Sequence, residues 1–254
     1  MLSAQQIEQF THDGILVVKN LLDEEQLDRL RQRADWVASG QAPHVAPSHL
    51  QVEPQVRQGE AQADKYSDSL RKMSHIAFVD EVFQAHARNR RILDCIAALL
   101  GPDIKLYQDQ LFMKPPRIGS RQRYHQDQPL GFYVDPPHMV TCWAALDRAT
   151  IENGCLWMLP GTHRYGQIPQ ERWEDYEKQA LAGQLPQECP IELEAGDCSF
   201  HHGLILHSSR PNQTGQRRRG YATHYVSAHC RYTGPPDRTN DALLVRGHEQ
   251  PGCI

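Results

Sequence analysis

Ile104-Lys-Leu-Tyr-Gln-Asp-Gln-Leu-Phe-Met113 is where the chain changes texture. Its apolar and polar side chains alternate, as those of a half-buried strand do, one face turned to a core and the other left polar. Upstream the spacing is helical. Residues 4–13 and 23–38 read as helices, the second capped by Asp23 and carrying Leu27, Leu30 and Trp36 at roughly helical intervals. Gly14-Ile-Leu-Val-Val-Lys19 is a short strand between them. Two more helices are expected near 80–88 and 90–100, stopped by Gly101-Pro102. Residues 40–65 are polar and rich in Pro, Gln and Ser. A connection of that length in a compact domain predicts a lid, a binding loop or disorder.

Downstream the strands continue. Met139–Leu146 and Cys155–Leu159 are joined through Glu152-Asn-Gly154, whose Asn-Gly pair signals a hairpin-type turn. An inserted helix is expected over 170–183, and further strands over 191–193, 197–201, 204–207 and 220–229. Helices first, then about eight short strands broken by Gly and Pro, predict a mainly β fold: a barrel or jelly roll buttressed by N-terminal helices. The expected organisation is one domain over 1–254, with a helical buttress to about 102, a β core over about 103–230 and a C-terminal tail over 231–254.

Composition narrows the function classes. The 27 Lys and Arg are outnumbered by 31 Asp and Glu, so a dedicated nucleic-acid binder is not expected. The longest apolar stretches, Gly14 to Val18 and Ile96 to Leu100, are too short to cross a bilayer. The N-terminus reads as an amphipathic helix (Leu2, Ile7, Phe10) without an export signal. Seven cysteines, an odd number with no Cys-x-x-Cys pair, predict buried reduced thiols and a cytoplasmic protein. Fourteen histidines are the unexplained excess.

The chemically loaded segment is Tyr124-His-Gln-Asp-Gln-Pro129. Side chains two apart on an extended chain share a face, so His125 and Asp127 can reach one metal ion together. A third ligand is available in Gly196-Asp-Cys-Ser-Phe-His-His-Gly-Leu-Ile-Leu-His-Ser-Ser209, which offers His201, His202 and His207; periodicity does not choose among them. Two histidines and a carboxylate leave three positions of a ferrous ion open, the donor set of non-haem iron oxygenases. The histidines at 12, 44, 49, 75, 86, 138, 163, 224, 229 and 248 read as solvated or capping imidazoles.

His125-x-Asp127, the block Glu152-Asn-Gly-Cys-Leu-Trp-Met-Leu-Pro-Gly-Thr-His163, the Gly196-Asp197 turn and His207 with Arg218 eleven residues later form an ordered set. In that set the chain resembles the phytanoyl-CoA dioxygenase family, from about residue 5 to about 230. The resemblance implies a double-stranded β-helix, a distorted jelly roll, and an enzyme dependent on iron(II), 2-oxoglutarate and O2. It assigns the metal to His125, Asp127 and His207. It implies that Arg218 pairs with the far carboxylate of 2-oxoglutarate, where a guanidinium fork fits the two oxygens. In the run Arg217-Arg218-Arg219, strand parity lets either 218 alone or both 217 and 219 face the interior; the spacing from His207 favours 218. The same resemblance points to Ser209, Gln108, Trp143 and Lys72 as cosubstrate residues, Lys72 reaching in from the helical segment. The Glu152–His163 block is read as structural.

What the resemblance implies chemically is oxidative decarboxylation of 2-oxoglutarate to succinate and CO2, coupled to attack on an unactivated C–H bond of a small molecule. Hydroxylation is the default outcome. Related halogenases lack the carboxylate ligand, so Asp127 disfavours halogenation. Substrate determinants are expected in 40–65, in Gln128 to Pro137, where Phe132 and Tyr133 could form an aromatic wall, and in 163–190. The competing readings are a cupin-like metalloenzyme that does not use 2-oxoglutarate, which gives Arg218 no role, and a non-catalytic binding relative, which gives no reason for an intact triad.

Overall fold

A computed structural model describes residues 2–128, 133–235 and 242–254. In chain order its elements are α1 (Ala4–Asp13), β1 (Ile15–Val18), α2 (Glu24–Ala38), β2 (Leu50–Val52), α3 (Pro54–Arg57), α4 (Tyr66–Ser69), β3 (Leu70–Ser74), α5 (Glu81–Ala87) and α6 (Arg90–Leu100). Then follow β4 (Ile104–Phe112), β5 (Gln122–His125), β6 (Val134–Asp135), β7 (Met139–Ala145), β8 (Leu156–Met158), α7 (Trp173–Leu181) and β9 (Cys189–Ile191). The last strands are β10 (Cys198–His202), β11 (His207–Ser209), β12 (Gly220–Ser227), β13 (Arg231–Tyr232) and β14 (Leu243–Arg246).

Local chemistry sets the helix ends. Ser3 and Asp23 each accept from the backbone three residues on, and Gln6 and Gln26 return the bond, so both α1 and α2 begin with a capping box. Asp80 and Asn89 cap α5 and α6 in the same way from one side.

The larger sheet has the order β1-β10-β7-β12-β4-β3-β2, with β14 also on β4; the smaller is β5-β11-β8-β9. All these pairings are antiparallel. The two sheets form the walls of a double-stranded β-helix. Strand parity divides the larger sheet cleanly. Cys142, Ala144, Cys198, Phe200, Leu111, Tyr221 and Tyr225 face outward and pack on Leu27, Leu30, Phe83, Ile92 and Ile96 of the helices. Trp143, Ala145 and Ala222 face inward toward Leu156, Met158 and Ile205. Each fully buried Leu, Ile or Phe in these layers contributes about 1.5–3 kcal/mol.

Several expectations need correcting. Residues 40–65 are in part a strand rather than irregular throughout: β2 extends the larger sheet by pairing with β3, and Glu53 follows it into the cavity lining. Residues 231–254 are not a plain tail, because β13 pairs β6 and β14 pairs β4. Asn153-Gly154 does not close a hairpin. β7 pairs with β10 and β12 while β8 pairs with β11 and β9, so the turn carries the chain from one sheet to the other. Gly154, at φ +81°, still supplies the left-handed residue such a turn needs. Residues 204–206 are likewise a crossover turn, closed by the Ile205 amide on the His202 carbonyl at 2.9 Å. His86 and His224 are buried rather than solvated. The seven cysteines are free and most are buried, but Cys189 is exposed.

Candidate active site

His125 closes β5 and His207 opens β11, and the ladder sets these two residues directly opposite one another. That register brings the imidazoles to 4.1 Å between centroids. Asp127 arrives two residues after His125. His207 Nε2 lies 3.6 Å, and His125 Nε2 3.8 Å, from Asp127 Oδ1. The three side chains are buried, and one donor atom from each lies within 4.8 Å of the other two. Among the described residues no other group of three metal-ligating side chains meets that condition.

The tautomers follow from the backbone. His125 Nδ1 faces the Arg123 carbonyl at 2.8 Å and His207 Nδ1 the Ile205 carbonyl at 3.1 Å. A carbonyl only accepts, so Nδ1 carries the proton in each ring and Nε2 keeps its lone pair for the cavity. Asp127 is held on its other oxygen. The Thr141 hydroxyl donates to Oδ2 at 2.9 Å and His201 Nε2 stands 3.4 Å away. Having donated its proton, Thr141 accepts from His224 Nδ1 at 2.8 Å.

Electrostatics suits a cation. Burial pushes the His125 and His224 imidazoles down to about 4 and lowers His207 as well. Burial opposes ionisation of Asp127, but the surrounding His207, His201 and His224 outweigh it and hold the carboxyl well below its usual range. At neutral pH the site therefore presents two neutral imidazoles and one carboxylate, a donor set that fits a divalent iron with positions to spare.

These groups stand at one end of a cavity of about 280 Å³ between the sheets. Arg218 stands at the other. It is 2% exposed and donates from Nη2 to the Gly154 carbonyl, while its Nε has no partner. Its guanidinium carbon lies 5.2 Å from the centroid of Trp143. Trp143 in turn needs Gly220, where a Cβ would fall 1.8 Å from the indole. Parity in the arginine run is settled: Arg217 pairs outward with Asp35 and Asp68, and Arg219 with Asp147 at 2.9 Å.

Gln108, Trp143, Ser209 and Lys72 all line the same cavity. Lys72 reaches in from the N-terminal segment as expected, carried there on the strand β3, and burial, reinforced by Arg71, lowers the pKa of its ammonium. His201 faces inward, whereas His202 turns away to lie 5.2 Å from His163. Tyr133 packs on Tyr232 and is not part of the wall; Phe132 lies outside the described residues.

Sequence reasoning missed Thr141, His224, Lys114, Glu53, Arg71 and Gln122, all of which line the cavity. Parity held the signal for some of them. Thr141 is in phase with Trp143, and Lys114 continues the inward series Gln108, Gln110, Phe112. Ser209 was expected beside the cosubstrate, and the structure gives it a partner: Lys114 Nζ donates to its Oγ at 2.7 Å.

A family model described as phytanoyl-CoA dioxygenase (PhyH) matches residues 10–220. The chain belongs to the phytanoyl-CoA dioxygenase family. The peroxisomal phytanoyl-CoA dioxygenase of Homo sapiens is 28% identical over 91% of this chain and 70% of its own length. Among solved structures, the nickel complex of the non-heme monooxygenase ThoJ is 26% identical, with a TM-score of 0.71 over 98% of this chain and 86% of that one. EctD from S. alaskensis, solved with 2-oxoglutarate and 5-hydroxyectoine, shares the fold with a TM-score of 0.77 at 22% identity, over 99% of this chain and 86% of its own. Membership in the family makes this chain a dioxygenase by descent, and its double-stranded β-helix is the fold of those neighbours.

Proposed function

We propose that this protein is an iron(II)- and 2-oxoglutarate-dependent dioxygenase that hydroxylates an unactivated C–H bond of a small molecule, releasing succinate and CO2. One observation carries the reading. A buried two-histidine, one-carboxylate set shares a cavity with a buried arginine that meets no carboxylate within 4.0 Å among the described residues. A cupin-like enzyme without 2-oxoglutarate would leave that arginine unexplained.

His125 and His207 would hold iron through Nε2 and Asp127 through Oδ1. Iron bound there would couple oxidative decarboxylation of 2-oxoglutarate to O2-dependent oxidation of the substrate. The chain's own contribution is positioning. Arg218 and Ser209 receive the far carboxylate, Trp143 and Gln108 wall the cosubstrate, Lys72 adds positive charge, and the buried cavity keeps bulk water from the reacting centre. Asp127 occupies the position that a halide would need, which favours hydroxylation over halogenation. The seven free thiols support a reducing, cytoplasmic setting. The Homo sapiens relative is by name peroxisomal, and no helix among the described residues is long and apolar enough to cross a membrane.

Anaerobic addition of iron(II) and 2-oxoglutarate tests the assignment. The wild type should give the weak visible charge-transfer band of such complexes, and the double variant Asp127→Ala, His207→Ala should not. Its absence from loaded wild type, or its persistence in the double variant, overturns the reading. Succinate release across candidate small molecules then addresses the substrate.

A further inference from the structure

The two sheets meet along two seams, and different chemistry closes each. On one side the sheet edges are β1 and β9. There Ile15, Ile191 and Leu193 are buried in one apolar cluster with Trp143 and Ala149, and Val17 packs against it. Ala149 and Leu193, which continue the chain from β7 and β9, exchange two backbone hydrogen bonds at 2.8 and 3.0 Å. Parting this seam would expose apolar surface and break a backbone bridge, so it stays shut.

On the other side the larger sheet ends in β3 and β2 and the smaller in β5. Among the described residues no backbone hydrogen bond joins residues 50–74 to residues 114–125. Polar side chains close the gap instead. Glu53, just after β2, accepts from the Ser120 hydroxyl at 2.6 Å and from the Ser120 amide at 3.3 Å. Arg71, on β3, donates to the same hydroxyl and, at 2.7 Å, to Oε1 of Gln122, which opens β5. Arg71 Nη1 lies 3.6 Å from Glu53 Oε2, so the carboxylate, 1% exposed, keeps a counter-charge. All four side chains line the cavity. The loop that carries Ser120 is fixed on its other flank. Asn212 donates there to the Lys114 and Pro115 carbonyls at 3.0 and 3.2 Å, and its amide to the Gly119 carbonyl at 2.9 Å. Water can replace each bond of the clasp when the seam parts, so opening it costs far less than opening the apolar one.

We propose that the clasp of Glu53, Arg71, Ser120 and Gln122 is a gate, the passage through which 2-oxoglutarate enters the cavity and succinate leaves it. The assignment rests on the proposed function and adds a route to it. Arg218, Ser209 and Trp143 are each less than a tenth exposed, so a ligand they hold has to pass a wall that opens. A gate that is shut both before and after entry governs rates and not recognition. Loosening it speeds arrival and departure alike and leaves affinity where it was.

The test is stopped-flow binding to nickel-loaded protein, which holds the metal without turnover, read by tryptophan fluorescence because Trp143 lines the cavity. The titrants are 2-oxoglutarate and 2-oxopentanoate, which has the same chain length without the far carboxylate. Ser120→Ala removes two side-chain bonds across the seam and changes no charge. It should raise the association and dissociation rate constants of both titrants by about tenfold, with each Kd within about twofold of wild type. If Ser120→Ala does not fold, Gln122→Met, which removes the other acceptor of Arg71, carries the same comparison. Ile191→Val, in the apolar seam, should lower thermal stability and leave the rate constants unchanged. Unaltered rates in the clasp variant, a loss of affinity confined to 2-oxoglutarate, or an equal acceleration in Ile191→Val each overturns the gate while the proposed function stands. Wild type that binds nickel but neither titrant overturns the proposed function, and this assignment with it.

Discussion

The two ends of the cavity are built on opposite principles. At the metal end, each ligand is fixed by its own neighbourhood: the Arg123 and Ile205 carbonyls orient two imidazoles, and Thr141 and His201 hold the spare oxygen of Asp127. The outer polar atoms of the three ligands already have partners, and what is open is the set of lone pairs aimed inward. At the far end, Arg218 and Lys114 are buried with no carboxylate within 4.0 Å among the described residues, and the Arg218 Nε is unsatisfied. One end is preorganised by satisfaction and the other by deficit. The first suits a cation, which needs oriented lone pairs; the second suits an anion, which supplies the missing charge. The comparison predicts that each end is damaged by different changes.

The largest effect belongs to the ligands themselves. Removing a coordinating group, as in His207→Ala, should weaken metal binding on the order of 1,000-fold or more, read by competition with a chelator of known affinity. Binding that falls only a few-fold would mean that the metal sits elsewhere and that the contrast between the ends is misdrawn.

Acid and base should separate the ends next. The buried His86 and His125 are depressed to about 4 by burial, against about 6.5 for an unfolded histidine. The unfolded chain then binds protons first, so stability is present above pH 6.5 and is lost as pH falls toward 4, by up to about 3 kcal/mol for each such imidazole. Urea midpoints of metal-free protein between pH 7 and 4 measure the loss. His86→Phe, remote from the cavity, should flatten the slope by one imidazole's share. Lys114 runs the other way. Burial, with Arg218 and Arg71 beside it and Glu53 and Cys155 opposing, lowers its ammonium to about 6. Above that pH an entering carboxylate must bring a proton with it, so 2-oxoglutarate affinity should fall as pH rises from 6 to 8 in wild type and stay flatter in Lys114→Met. Equal profiles in the two proteins would break the contrast.

How far each end was legible follows from the same difference. His125-x-Asp127 lies in one extended segment, so spacing of two suffices to place both side chains on one face. Choosing His207 over His201 and His202 depends on a crossover turn at 203–206 that moves the chain to the other sheet, and no local periodicity records that; the family resemblance made the choice. Parity narrowed the arginine run to 218 alone or 217 with 219, and the spacing from His207 chose 218; the acids that hold Arg217 and Arg219 outside come from distant segments and left no local sign. Lys114 keeps the parity of β4 two residues past the strand's end, yet a lysine before two prolines reads as a solvated strand end. Glu53 was out of reach, because its burial depends on β2 joining β3, and residues 50–52 carry too little alternation to announce an edge strand. Asn153-Gly154 shows the limit from the other side: its left-handed glycine was legible, but which strands it joins was not.

The smallest effect tests whether the metal end owes its order to partners beyond the ligands. Thr141→Val keeps the shape of the side chain and removes the hydroxyl that donates to Asp127 Oδ2 at 2.9 Å and accepts from His224 at 2.8 Å. Asp127 then keeps His201 Nε2 at 3.4 Å and His224 Nδ1 at 3.6 Å near that oxygen, both longer than the bond lost. A carboxylate freed to rotate presents Oδ1 to the imidazole pair for less of the time, and metal affinity should drop by about tenfold. Thr141→Ser, which keeps the hydroxyl, should restore most of it. The far end shares neither of these bonds, so the preference for 2-oxoglutarate over 2-oxopentanoate should survive Thr141→Val unchanged in nickel-loaded protein. If that preference collapses together with metal affinity, the two ends are one coupled network and the division between satisfied and unsatisfied ends fails.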